Sequence, residues 1–204
     1  MNTIQLVIEF LGTFAFAISG IRWAAAKDFD WFGGYVVGLA TAIGGGTIRD
    51  VMLGVTPFWM TNSIYMICTA VALVTVIVFK KVIVRFTNTW FLFDTLGLAL
   101  FTVAGLQKTL YEGYPFWVAI IMGCITGAAG GVIRDVLINE VPLIFRKEIY
   151  AMACILGGLA YYVCQLADLS AETTVIISFS VVVVVRLMAV RLHISLPHLH
   201  EDKE

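Results

Sequence analysis

Four ionisable residues fall inside apolar stretches where charge is costly: Glu9, Asp94, Arg49 and Arg134. Asp94 follows Glu9 by 85 residues, and Arg134 follows Arg49 by the same offset. Placing such a charge at depth in an apolar span costs about 2.5–3.5 kcal/mol on insertion scales, so it usually faces a bundle interior or a water-filled path. Carboxylates and guanidiniums in that setting are suited to ion pairing along a route for a small hydrophilic solute. The spacing predicts two symmetry-related pairs, Glu9–Arg49 and Asp94–Arg134, flanking the route at its two ends. A competing arrangement has both arginines snorkelling to headgroups and pairing only with the adjacent Asp50 and Asp135. Sequence alone leaves the two open.

Between the charged pairs lie Gly44-Gly45-Gly46 and Gly130-Gly131, closing two apolar segments. Each glycine weakens a helix by roughly 1 kcal/mol relative to alanine, and backbone groups freed within lipid must face protein or water. The expectation is a pair of kinks or breaks whose carbonyls line a polar path and replace the hydration of a hard monovalent cation. Close helix packing is the alternative use of glycine, and it suits Gly34-x-x-x-Gly38 and Gly123-x-x-x-Gly127. Ser19, Thr41 and Thr126 are candidate path-lining hydroxyls, although such groups often bond their own i−4 carbonyl. Lys108 is a candidate gate or an interfacial anchor.

Other chemistries lack their residues. No nucleophile–base pair, phosphate loop, H-E-x-x-H or dinucleotide fingerprint is present, so no enzymatic reaction and no cofactor are expected. No basic patch with interleaved aromatics points to nucleic acid. Cys68, Cys124, Cys154 and Cys164 all sit in apolar runs and read as packing residues. His193, His198 and His200 are too loosely spaced for a metal site.

The elements that must position these residues are helices in lipid. The chain has 204 residues, 60% hydrophobic and 13% charged, with mean hydropathy +0.94; soluble domains carry about 25% charged residues. A span needs about 20 apolar residues, and seven segments are expected: 3–21, 32–48, 62–79, 90–107, 115–133, 148–166 and 172–190. Runs such as Val71–Phe79 and Val181–Val185 offer no polar face for a soluble bundle. No Lys or Arg precedes the first segment, so it is expected to be a span and not a cleaved leader. The tryptophans Trp23, Trp31, Trp59, Trp90 and Trp117 sit near span ends, where interfacial anchoring is the default.

Basic residues set the orientation. With the N-terminus outside, Arg22, Lys27, Lys80, Lys81, Arg85, Arg134, Arg146, Lys147, Arg186, Arg191 and Lys203 fall inside, and Arg49 and Lys108 outside. Cytoplasmic loops concentrate Lys and Arg, so N-out and C-in is expected, in the cell (inner) membrane.

The offset of 85 runs through the chain. Leu11-Gly12 falls on Leu96-Gly97, Gly20 on Gly105, Gly45–Val51 on Gly130–Val136, Pro57 on Pro142 and Ile64-Tyr65 on Ile149-Tyr150. Three spans per copy is an odd number, so the second copy must insert inverted, as in transporters with a midplane solute site. The predicted fold is an all-α integral membrane protein of seven helices. Residues 1–86 form one repeat, 87–168 the inverted second, 169–192 a seventh helix and 193–204 a cytoplasmic tail.

The doubled Gly-Gly-x-Ile-Arg-Asp motif, at Gly45–Asp50 and Gly130–Asp135 and followed each time by proline, resembles a bacterial membrane family described as glycine-transporter-like. It also resembles the prokaryotic trimeric intracellular cation channels. The resemblance implies a homotrimer in which each subunit has its own pore where kinked second and fifth helices meet. It further implies passive conduction of monovalent cations, potassium favoured and sodium second, with Gly44, Gly45, Gly46, Gly130 and Gly131 at the kinks. The animal channels carry a lysine-containing gating motif on the fourth span, and Phe91–Gly105 has no lysine. An alternating-access carrier for glycine or another small zwitterion is the alternative, and a non-transporting scaffold is the third.

Overall fold

The computed structural model describes residues 3–80, 89–145, 149–192 and 194. Within them the regular elements are helical: α1 (Thr3–Ala26), α2 (Trp31–Met52), α3 (Phe58–Thr61), α4 (Ile64–Val78), α5 (Thr89–Tyr111), α6 (Phe116–Leu137), α7 (Ala151–Leu166) and α8 (Ala171–Arg191). A single 3-10 turn covers Leu143–Phe145.

Five of these helices, α1, α2, α5, α6 and α8, are long and apolar enough to cross a membrane. The expected spans at 62–79 and 148–166 correspond to α4 and α7, which have 15 and 16 residues. At 1.5 Å per residue these reach about 23–24 Å, short of a hydrocarbon core about 30 Å thick. The long helices overrun their expected ends: α2 continues to Met52 and α5 to Tyr111. Lys81, Arg85, Arg146, Lys147, Lys203, His193, His198 and His200 lie outside the described residues, as do the boundary between 86 and 87 and all of the 193–204 tail except Ile194.

Capping explains several of the ends. Asp30 accepts a hydrogen bond from Gly33 N at the start of α2, and Ser170 accepts one from Thr173 N at the start of α8. Such caps satisfy backbone donors that the first turn leaves open. At the other ends, a left-handed residue stands two positions beyond the last helical one: Asp28 after α1, Gly54 after α2, Gly113 after α5, Asn139 after α6 and Asp168 after α7. Left-handed caps of this kind close a helix by satisfying its last carbonyls. The first four fall into pairs 85 residues apart, Asp28 with Gly113 and Gly54 with Asn139.

At the centre, α1 and α2 pack against each other, as do α5 and α6, and the pairs are joined by α1–α5 and α2–α6 contacts. Helix α4 lies against α1 and α2, α7 against α5 and α6, and α8 against α5 and α7. The stacked rings of Phe16 and Phe101, 5.4 Å apart, also 85 residues apart in sequence, fill the middle. The periphery is apolar and open: Val71, Val78, Val163 and Ile176 are all more than half exposed. Water would penalise such a surface; lipid matches it.

Candidate functional site

The four ionisable residues singled out in the sequence are fully buried. Arg49 Nη2 stands 3.5 Å from Glu9 Oε1, and its Nε donates to Asp50 Oδ1 at 2.8 Å. Arg134 Nη1 stands 2.5 Å from Asp94 Oδ1, and its Nε donates to Asp135 Oδ1 at 2.8 Å. The two arrangements left open by sequence therefore coexist: each arginine holds both its distant and its adjacent carboxylate. Neither snorkels.

The aspartates do a second job. Asp50 Oδ2 accepts from Phe58 N at 2.8 Å, and Asp135 Oδ2 accepts from Leu143 N at 3.0 Å. Each thereby ties the end of a long helix to the short helical turn that follows it. Tyr65 OH donates to Glu9 Oε2 at 3.0 Å, and Tyr150 OH to Asp94 Oδ1 at 3.5 Å. Every contact here has a counterpart 85 residues away.

Two cations complete the clusters. Lys108 Nζ lies 2.8 Å from Asp50 Oδ1, so the candidate gate is anchored on a buried carboxylate. Arg186 of α8 brings Nη2 to 3.9 Å from Asp94 Oδ2, with its guanidinium over the rings of Phe91 and Tyr150. Among the described residues, each cluster thus holds two carboxylates and two cations. Burial is tolerable because charges are paired and hydrogen-bonded; a lone buried ion would cost far more.

Sequence reasoning missed Tyr65, Tyr150 and Arg186 as partners. The tyrosines were signalled by the offset of 85. Arg186 was not, because α8 has no repeat copy.

Between the clusters, the expected breaks are absent. Helices α2 and α6 run uninterrupted through Gly44–Gly46 and Gly130–Gly131. The glycines are used for contact instead. A Cβ on Gly45 would collide with the Thr126 carbonyl oxygen, and one on Gly130 with that of Thr41. Gly44 faces Ile133, Gly46 faces Phe58 and Gly131 faces the Tyr150 hydroxyl. Close approach across α2 and α6 outweighs the local cost of glycine, and the helical hydrogen bonds are kept.

Thr41 Oγ1 donates to Val37 O and Thr126 Oγ1 to Met122 O, both at 2.6 Å, the local bonding that hydroxyls in helices favour. Ser19 Oγ accepts from Arg134 Nη1 at 2.8 Å and so belongs to the Asp94 cluster. Cys68, Cys154 and Cys164 are buried and free, and Cys124 is half-buried and free.

The family model described as "Glycine transporter" matches residues 6–81 and again 91–165, two segments whose starts are 85 apart. A UPF0126 membrane protein of Vibrio cholerae is 41% identical over 201 residues, covering 96% of this chain and 83% of that one. The UPF0126 inner membrane protein YadS of Escherichia coli is 40% identical over 197 residues, 93% of each.

Among solved structures, the trimeric intracellular cation (TRIC) channel orthologue from Rhodobacter sphaeroides matches with TM-score 0.89 and 30% identity, over 95% of this chain and 100% of that one. A TRIC cation channel studied for its conductance matches with TM-score 0.85 and 32% identity, over 97% and 98%. A channel of the same kind from C. elegans shares the fold at 12% identity and TM-score 0.64, over 89% of each chain. The chain is a membrane protein that belongs to the glycine transporter family, with prokaryotic TRIC channels as its structural relatives.

Proposed function

We propose that this protein is a membrane channel that passively conducts monovalent cations, potassium favoured, through a path between α2 and α6 of each subunit of a homotrimer. The observation that carries the proposal is the match, over nearly the whole chain, to solved TRIC cation channels at about one-third identity. The two buried charge clusters support it, since each paired arginine stands on the same helix that carries one side of the glycine contact.

In the proposed architecture, α1, α2 and α4 form one three-helix repeat and α5, α6 and α7 its inverted copy. With α8 there are seven spans, the N-terminus outside and the C-terminus inside. The glycine contact is the closed constriction. Each helical carbonyl has a second lone pair beyond its helix bond, and those of Thr41 and Thr126 face the opposite glycine. A modest separation of α2 and α6 would turn them to water, where carbonyl oxygens can stand in for the hydration shell of a cation. No helix need break.

The family's description favours a second reading, a carrier moving glycine by alternating access between the repeats. Purified protein in liposomes separates the two. The expected result is potassium flux down its gradient that does not saturate at carrier-like rates and is unaffected by glycine. Saturable glycine counterflow without potassium flux would overturn the channel.

A further inference from the structure

A cavity of about 220 Å³ opens where three helix ends meet: the last turn of α1, the first of α2 and the last of α4. Its charged rim is Asp28, Asp30 and Lys80, and its apolar floor includes Ile21, Leu73 and Ile77. This level is a membrane boundary by its aromatics. Trp31 and Phe32 are about three-quarters exposed and Phe29 is also open, as rings at the headgroup level are.

The offset of 85 supplies an internal comparison. At the opposite end of the bundle, a cavity of about 290 Å³ is lined by Gln107, Leu110, Tyr161 and Gln165. Leu110, Tyr161 and Gln165 stand 85 residues after Ala25, Val76 and Lys80, which line the first cavity. The repeat thus makes both hollows, but among their described lining residues only the first has charged ones. Asp28 itself sits at a left-handed turn, φ 58°, where its counterpart is Gly113. Of this pair of turns, the one beside the charged cavity carries the carboxylate and its counterpart the glycine.

We infer that this charged cavity binds the headgroup of a membrane phospholipid bearing a primary ammonium and a phosphodiester, as in phosphatidylethanolamine. The ammonium is matched by the Asp28 and Asp30 carboxylates and the phosphodiester by Lys80. The acyl chains run down the lipid-facing side of α4 past Ile77 and Val74, both exposed. A choline headgroup has no N–H to donate to the carboxylates, and an anionic glycerol headgroup brings no cation to them. The volume fits a headgroup; pockets for drug-sized solutes run about 300–1,000 Å³.

The test is native mass spectrometry of the full-length protein, released from mixed micelles holding equal amounts of phosphatidylethanolamine, phosphatidylcholine and phosphatidylglycerol. The expected result is retention of phosphatidylethanolamine at least fivefold above either competitor. That preference should vanish in Asp28→Asn combined with Lys80→Gln, and persist in Gln165→Ala at the uncharged cavity. Asparagine tolerates the left-handed turn, and an unchanged melting temperature verifies that the variant is folded. Equal retention of the three lipids, or a preference that survives the double variant, would overturn the assignment. So would soluble glycerophosphoethanolamine binding as tightly as the whole lipid, which would place the ligand in water and not in the membrane. Ion flux plays no part in this readout, so the channel proposal stands or falls separately.

Discussion

The Glu9 cluster and the Asp94 cluster are built from the same positions of the repeat, yet each recruits its last cation from a different place. At the Glu9 end it is Lys108, from the last turn of α5, with 15% of its side chain exposed. At the Asp94 end it is Arg186, from α8, with none exposed. Position 23, which matches Lys108 in the other copy, is a tryptophan packed on Trp90 at 5.2 Å. The tryptophan cannot supply a charge, so the second end depends on a helix outside the repeat. Two solutions to the same charge balance therefore differ in access to water: one end is within reach of solvent and the other is sealed.

The largest expected effect tests the sealed end. Arg186→Met keeps much of the side-chain volume but leaves Asp94 and Asp135 with Arg134 as their one cation among the described residues. Removing one member of a buried charge network typically costs about 3–5 kcal/mol. Lys108→Met, next to a partly wet lysine, is expected to cost about 1 kcal/mol, in the range of exposed pairs. Denaturant unfolding of the two variants in the same detergent gives the difference directly. Equal losses would mean that exposure does not distinguish the clusters.

The next effect is common to both ends. Gly45→Ala and Gly130→Ala each drive a methyl group into a carbonyl of the facing helix, and overpacking of this kind costs about 1–3 kcal/mol. The two losses are expected to be similar, because the contacts are related by the repeat, and cation flux should fall in both. A variant that unfolds normally yet conducts like the parent would remove the proposed constriction from the α2–α6 contact.

How far the sequence reached follows from what kind of signal each feature leaves. The Glu9–Arg49 and Asp94–Arg134 contacts were legible because charge is rare in apolar spans and the offset of 85 matched their depths. The helical class and the long spans were legible from hydropathy. The glycine runs misled as to a break because propensity is a local cost of roughly 1 kcal/mol per residue, whereas the contact with Thr41 and Thr126 is tertiary and leaves no local mark. The short helix α3 is held by Asp50 accepting from Phe58 N, a bond between side chain and backbone that no periodicity encodes. Arg186 lies among valines in a helix without a repeat copy, so neither depth nor offset named its partner. Lys108 stood out by position, but its anchoring on Asp50 needed the packing of α5 beside the end of α2.

The smallest effect sharpens the comparison most, because it concerns dependence on salt. Salt screens a charge that water can reach and hardly affects a buried one; the Debye length falls from about 30 Å at 0.01 M to about 3 Å at 1 M. Lys108 Nζ meets Asp50 at the edge of solvent, so its contribution should be largest in dilute potassium chloride and fade as the salt is raised. Arg186 meets Asp94 beneath Phe91 and Tyr150, so its contribution should stay level. Melting temperatures of the parent, Lys108→Gln and Arg186→Met across that range measure both. The parent and Lys108→Gln should converge at high salt while Arg186→Met remains apart. If the Lys108→Gln gap is constant, the ammonium is as isolated from water as the guanidinium. The Glu9 end would then be no more open than its counterpart, and a gate at Lys108 would lose its physical basis.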